Sequence, residues 1–562
     1  MLLLLPVVIV GMVLETISVG VVIPALGILL SENYFDQFSF LKPYLQSLGE
    51  PSHEVLIIFG LCGLASAFFL KNIYLYFQVN CQGTFVYSAQ REIALSLFRK
   101  YLLRGYLFHL KTNSSELIRN LTTEISLYCS YFLMATINLV TEVLVIIALL
   151  GLILFVEPKG GFFLILILSI IVFLFVRATH QVVGRWGRLR LEAEGDKIKH
   201  LQHGFGGLKE ILLSGRMEYF LRRFHRPNHL AGLMTKKEYI FQYVPKLGIE
   251  TIAIFGLVGM CLFLITQGNP KEEIVHILGL MATAGFRMIP SFSRILNNLQ
   301  SIRYGWASIG VLNKEFTVEH IQDCPHRKDN RNEELSSINF NDTITLQDVS
   351  YSYQAESEGV LNNISLVIKK GETIGFAGES GAGKSTLANV ILGLLEVSPG
   401  QIVVDDQVIS DKNRESWQKM IGYVPQDVFL LDDTISRNIA FGIDDNEIDE
   451  QRVDEVIKMA KLNEFVQSTP EGNELLLGER GARLSGGQRQ RIGIARALYH
   501  DPDILVLDEA TSSLDNETES EILATLEPLK KTKTLLIIAH RSKALDMCSK
   551  VFTLKDGNLQ QI

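Results

Sequence analysis

Neither a disulfide framework nor a zinc site is written into this chain. Its six cysteines, Cys62, Cys81, Cys129, Cys261, Cys324 and Cys548, are scattered singly, with no CxxC pair among them. A surplus of positive charge is missing too. Lys and Arg number 53 against 61 Asp and Glu, a net charge of −8. Nucleic acid is thereby disfavoured as a partner, because its backbone is bound by clustered cations. The start lacks the basic residues of a cleaved signal peptide. Its apolar run, Met1 to Leu30 with Glu15 as the one charge, is too long for one. Proline is absent from residues 55–105, so nothing there forces a helix to break.

What is present is apolar and unevenly spread. Hydrophobic residues make up 48% of the 562, and they crowd residues 1–310. A membrane span needs roughly 20 apolar residues. By that measure spans are expected near 1–30, 55–78, 131–156, 161–178, 247–267 and 274–296. Of lysine and arginine, the candidate outer connections, 31–54, 157–161 and 268–273, hold only Lys42, Lys159 and Lys271. The other connections carry Arg99, Lys100, Arg104 and Lys111, and then Arg177, Arg185, Arg188, Arg190, Arg216, Arg222 and Arg223. The positive-inside rule puts these in the cytosol. As one helix, 55–105 would reach roughly 75 Å at 1.5 Å per residue, far beyond a bilayer core of about 30 Å. It must project into the cytosol, with contact tips expected near 112–121 and 205–216.

The organisation read from the sequence is therefore a membrane domain at 1–312, a polar linker at 313–340 containing Pro325, and an α/β domain at 341–562. In the last part, Gly378-Glu379-Ser380-Gly381-Ala382-Gly383-Lys384-Ser385-Thr386 follows the strand-like Thr373–Ala377 and opens a helix. This is the phosphate-loop pattern. Its glycines let successive N–H groups curl around phosphate oxygens, and the helix N-terminus adds a favourable dipole. Lys384 would neutralise the β- and γ-phosphates, and Ser385 would ligate Mg2+. The apolar run Ile504–Leu507 ends in Asp508 and Glu509. A buried strand would set Asp508 beside Mg2+ and leave Glu509 as general base for the attacking water.

Further motifs follow in a fixed order. Tyr351 and Tyr353 lie upstream, where an aromatic can stack on a base. Tyr423-Val424-Pro425-Gln426 comes next, then Leu484-Ser485-Gly486-Gly487-Gln488, Ser513-Leu514-Asp515 and Ile538-Ala539-His540-Arg541. Residues 340–562 so resemble an ATP-binding-cassette domain, with every diagnostic motif present. The resemblance implies a multidomain fold, a six-helix all-α transmembrane bundle of the type IV exporter kind followed by an α/β P-loop cassette. It implies ATP and Mg2+ as cofactors and a homodimer that sandwiches two ATP molecules head to tail. Ser485 and Gly487 would reach the γ-phosphate bound on the opposite subunit. Gln426 would sense Mg2+ and the attacking water, His540 would hold the γ-phosphate, Asp515 would bridge the dimer, and Tyr353 would stack on adenine.

The cargo is read from the membrane half. Arg287, Ser291, Arg294 and Asn298 recur at helical spacing in the last span, and Lys71 adds a cation in the second. Arginines suit a phosphate-bearing cargo because guanidinium binds phosphate bidentately. Glu15, Glu142 and Glu250 could instead neutralise these cations. Phe35, Phe38, Leu41, Leu45 and Leu48 form one apolar face, fit either to meet lipid tails or to pack as a loop over the bundle. Glu15–Gly20 with Ile23-Pro24, Tyr34-Phe35-Asp36, and Phe286–Ser291 with Arg294-Ile295 resemble the bacterial lipid-linked oligosaccharide flippases of the PglK family. That resemblance implies ATP-driven movement of a polyprenyl-pyrophosphate-linked glycan from the cytosolic to the periplasmic face of the inner membrane. It makes Arg287 and Arg294 the substrate candidates. The alternative is an exporter of another amphiphile, such as lipid A core, a drug or a peptide. Exporters of this type begin with an interfacial helix, whereas this chain opens on Leu2–Pro6. A truncated or misplaced start is therefore expected.

Overall fold

The computed structural model describes residues 4–21, 53–156, 158–267, 271–317, 337–353, 359–511, 514–539 and 542–562. The chain divides into two compact units, 1–103 with 112–319, and 104–111 with 320–562.

The first unit is helical throughout its described residues. Its long helices are α1 (Leu5–Gly20) and α2 (His53–Leu103). The short helix α3 (Tyr106–Lys111) belongs to the second unit, and α4 (Ser114–Arg119) resumes the first. After it come α5 (Ala135–Val156), α6 (Pro158–Gly206), α7 (Leu208–Ser214), α8 (Met217–Thr266) and α9 (Lys271–Thr317). Among the described residues, each expected span falls mainly on a separate helix. By length and apolar composition, Ile57–Leu103, Ser114–Gly151 and Met217–Thr266 are long and apolar enough to cross a membrane, and Leu5–Ser18 is a shorter apolar helix.

The single long α2 agrees with the proline-free run. Its 51 residues reach roughly 76 Å at 1.5 Å per residue. Between α4 and α5 the backbone widens into π turns at Asn120–Glu124 and Tyr128–Met134. Pro227 and Pro245 in α8 and Pro290 in α9 are carried inside continuous helices. Each removes one ladder hydrogen bond, which neighbouring helices and side chains offset in a bundle.

The linker expected over 313–340 overlaps the end of α9, which runs to Thr317, where Thr317 Oγ1 donates to the Asn313 side chain at 2.8 Å. The first contact tip is expected at 112–121, whereas the stretch grouped with the α/β unit is 104–111, where Leu107 packs on that unit's core. Residues 112–121 stay with the helical unit. The amphipathic outer segment at 31–48 and linker residues 318–336 lie outside the described residues.

The second unit holds two sheets. Strands β1 (Thr343–Tyr351), β2 (Leu361–Lys369), β4 (Gln401–Val404) and β5 (Gln407–Val408) form an antiparallel sheet in the order β2-β1-β4-β5. Strands β3 (Thr373–Ala377), β6 (Ile421–Val424), β7 (Ile504–Asp508), β8 (Thr534–Ile538), β9 (Lys550–Lys555) and β10 (Asn558–Gln561) form the other, ordered β10-β9-β3-β8-β7-β6. Its β9-β3-β8-β7-β6 run is parallel. Every residue of β7 and β8 is buried, as expected for parallel strands covered on both faces. The phosphate-loop helix α10 (Lys384–Ile391) packs in one core with Phe376, Val506 and Ile538. Helix α11 (Gly486–Tyr499) lies in a second core with Leu430, Val456 and Leu505. Helix α12 (Asn516–Leu526) follows β7.

Candidate functional site

The phosphate loop leaves the carboxyl end of β3, where open parallel sheets place their ligands. Gly378 has φ 146° and Gly383 φ 103°. A Cβ on Gly378 would lie 2.5 Å from the Leu554 carbonyl oxygen, and one on Gly383 2.9 Å from that of Val360. Only glycine fits both the backbone and the space. Buried Lys384 donates to the carbonyls of Gly378 (3.0 Å) and Glu379 (2.9 Å), which holds its ammonium across the loop. Burial pulls its pKa below the ordinary value, against the charges of Glu509 and Asp508. Those two carboxylates therefore lie within electrostatic reach of the loop.

Asp508 is buried at the end of β7. One oxygen, Oδ2, accepts from the Tyr423 hydroxyl at 3.3 Å, while Oδ1 is buried with no hydrogen-bond partner among the described residues. Burial and the charge of Glu509 push the Asp508 carboxyl up, against Tyr423 and Lys384. A buried, orphaned carboxylate oxygen beside a phosphate loop is a fitting ligand for a hard divalent cation. Asp508 with the exposed Ser385 would hold Mg2+. Glu509 follows at φ 49°, a left-handed conformation costly for a non-glycine residue, and its N–H bonds the Ile538 carbonyl at 2.9 Å.

Tyr353 is half-buried next to the phosphate-loop helix. Its hydroxyl is 3.2 Å from Thr386 Oγ1 and its ring meets Tyr351 edge-on at 5.1 Å. The loop of Gln426 is tied to the signature helix by Gln490, whose Nε2 donates to the Gln426 carbonyl at 2.6 Å. Arg496 ties the same loop further on, donating to the Phe429 carbonyl at 2.7 Å and the Asn438 carbonyl at 2.8 Å.

Ser485 caps α11 in a reciprocal capping box. Gln488 N donates to its Oγ at 3.2 Å, and Ser485 N donates to Gln488 Oε1 at 2.9 Å. The N-terminus of this 14-residue helix thus presents its dipole at the exposed Ser485, with Gly486 half-buried and Gly487 buried behind it. Asp515 caps α12, with both carboxylate oxygens engaged by Thr518, at 3.0 Å from its N–H and 2.8 Å from its Oγ1. Those bonds hold its pKa below the ordinary value. Ser513 and His540 lie outside the described residues.

In the membrane half, Arg294 on α9 donates to both oxygens of Glu142 on α5 and to Ser291 Oγ at 3.1 Å. The neutralising option for Arg294 is thus realised through Glu142. Lys71 on α2 is 94% buried, and its ammonium stands 4.6 Å from the Phe68 ring centroid, with no acidic partner among the described residues. The Arg287 side chain lies outside the described residues.

Tyr423, Gln490 and Arg496 went unread as site residues. The Tyr423-x-x-Gln426 and Gln488-x-Gln490 spacings carry no chemistry until β6 and α11 are placed.

Residues 361–512 match the ABC transporter family model. The ATP-dependent lipid A-core flippase of Vibrio cholerae serotype O1 is 27% identical over 506 residues, covering 90% of this chain and 83% of that protein. A Bacillus subtilis protein described as the uncharacterized ABC transporter ATP-binding protein YwjA is 29% identical over 512 residues, covering 90% and 86%. A bacterial Atm1-family ABC exporter solved with ATP bound shares the fold, with a TM-score of 0.79 at 21% identity over 99% of this chain and 94% of the other.

Proposed function

We propose that this ABC exporter half-transporter, whose cassette hydrolyses ATP to drive transport, pairs with a second copy of itself in a bacterial inner membrane. There it flips a polyprenyl-pyrophosphate-linked oligosaccharide from the cytosolic to the periplasmic leaflet. The observation that carries the cargo reading is Lys71, a cation buried inside an apolar bundle without a described acidic partner. Burying an unpaired charge is costly, and intramembrane charges are kept where a ligand or ion uses them. Arg294 adds a second cation held by an exchangeable partner, Glu142. A pyrophosphate offers both the charge these groups need and the geometry a guanidinium prefers. The second reading, a lipid A core-like phosphorylated glycolipid, is favoured by what the Vibrio relative is named for. Both share a phosphorylated, sugar-bearing head and a lipid tail.

In the motor, Lys384 and the loop amides would bind the phosphates, and Ser485 and Gly487 would complete the site of the opposite subunit. When bound, Mg2+ supplies charge that offsets the β- and γ-phosphates. Glu509 takes the proton of the attacking water, and Gln426 and His540 orient the water and the γ-phosphate. Tyr353 stacks on the adenine.

The test is ATP-dependent flipping in proteoliposomes, with labelled polyprenyl-pyrophosphate glycan in one set and labelled lipid A core in another. Glu509→Gln serves as the non-hydrolysing control, expected to lose turnover by about 10²- to 10⁴-fold. The first reading expects glycan flipping that Lys71→Ala and Arg294→Ala each reduce. Lipid A core flipping alone selects the second reading. Flipping of either lipid untouched by both substitutions sinks the cation site.

A further inference from the structure

Tyr423 is the one side chain described as bonding the Asp508 carboxylate, and its surroundings give that bond a second significance. It stands on β6, the strand paired with β7, in register Tyr423 to Val506, so its hydroxyl reaches the end of the neighbouring strand. By taking Oδ2 it leaves Oδ1, which has no described hydrogen-bond partner, as the oxygen that would meet a cation. Its ring packs against the core cluster that also receives Leu107, from the 104–111 segment of the motor unit. That segment lies in sequence between α2 and α4, two helices of the membrane half. A side chain that touches both the metal ligand and the core holding this segment is placed to connect the two.

We propose that Tyr423 is a positioning residue that fixes the Asp508 carboxylate for the cation and transmits to it the seating of the 104–111 segment. The inference rests on Asp508 being a metal ligand, as read above. A tyrosine phenol, with an ordinary pKa of about 10, is a donor throughout the physiological range. Tyr106 is a further electrostatic neighbour of Tyr423, consistent with the segment lying close. Loss of the phenol leaves a buried carboxylate free to turn, so the cost falls on cation affinity rather than on nucleotide contact. A hydrogen bond to a charged group contributes enough that its loss should weaken the cation about tenfold.

The experiment uses the full chain in nanodiscs with a saturating non-hydrolysable ATP analogue. Mn2+ is titrated and its free fraction read by electron paramagnetic resonance. Analogue affinity is measured separately in chelator. Tyr423→Phe is expected to weaken Mn2+ about tenfold while leaving chelator-state analogue affinity unchanged. Leu107→Ala is expected to weaken Mn2+ in the Tyr423 protein and to add nothing in the Tyr423→Phe background. Asp508→Asn separates the two levels of the argument. If it retains Mn2+, the metal assignment fails. If it loses Mn2+ while Tyr423→Phe keeps wild-type affinity, the positioning role fails alone. Equal effects of Leu107→Ala in both backgrounds overturn the transmission.

Discussion

Arg294 and Glu142, 152 residues apart in sequence, meet as a two-point ion pair between α9 and α5, with Nη2 3.2 Å from Oε2. The arginine side chain is 48% exposed and the glutamate 13%, so one partner faces open space while the other is anchored. That asymmetry lets an incoming anion compete for the guanidinium without exposing the carboxylate. Glu142→Gln should therefore lower the glycolipid concentration for half-maximal ATPase stimulation, by about fivefold on the scale of one charge-assisted hydrogen bond. Arg294→Ala should raise it, and Glu142→Gln should have no effect once Arg294 is gone. Glycolipid-stimulated phosphate release measures all three. An effect of Glu142→Gln that persists without Arg294 would remove the competition from the account.

A second pair is buried outright. The Arg190 guanidinium lies 3.4 Å from Glu124, with side-chain exposures of 4% and 0%, and Ser308 Oγ donates to the same carboxylate oxygen at 2.5 Å. Removing one member strands a charge, which costs about 3–5 kcal/mol, whereas replacing both by apolar residues of similar size is close to neutral. Glu124→Leu should lower the Tm of the purified full chain by several degrees, and Glu124→Leu with Arg190→Met should recover most of it. Equal Tm values for the single and double variants would show that the pair is not the seat of the cost.

In the motor, Asp405 ties the start of β1 to the β4–β5 turn. It accepts the N–H groups of Asn341, Asp342 and Thr343 at 2.8, 2.9 and 2.8 Å. Partial burial raises its pKa, but those three donors and Lys370 outweigh it and hold the carboxyl below its ordinary 3.8. A depressed carboxyl contributes stability above the unfolded value and loses it as pH falls through the folded one. Asp405→Ala should thus lower Tm at neutral pH, with the gap narrowing only below pH 3.8. A gap that is unchanged through that range would mean the charge is not what the three N–H groups hold.

Much of this molecule is local and was legible as such. The proline-free run became one helix, 53–103, and the glycine spacing of 378–383 became a loop with positive φ at Gly378, Gly381 and Gly383. What pattern reading missed depends on pairing across distance. Tyr423 and Asp508 are 85 residues apart and meet only because β6 lies beside β7. Gln490 reaches the Gln426 carbonyl over 64 residues. The tip expected at 112–121 shifted to 104–111 because α2 ends at Leu103 and a separate short helix, α3, follows at once. Helical periodicity reports where a helix exists, and a two-residue break is below its resolution.

The signature glycine offers the sharpest steric test. A Cβ on Gly487 would stand 2.5 Å from Thr518 Cγ2, while Thr518 Oγ1 is committed to Asp515 at 2.8 Å. The methyl cannot rotate away without giving up the Thr518 Oγ1 bond to Asp515, so Gly487→Ala strains the packing of α11 on α12, an overpacking cost of about 1–3 kcal/mol. ATPase activity should fall roughly tenfold or more, because the strain displaces the α11 N-terminus and small misplacements of positioning groups are costly to the rate. Thr518→Ser keeps the hydroxyl that bonds Asp515 and deletes the clashing methyl. Combined with Gly487→Ala it should restore most of the activity, and by itself it should change little. If Thr518→Ser fails to rescue while Tm recovers, the Gly487–Thr518 contact is not what requires glycine.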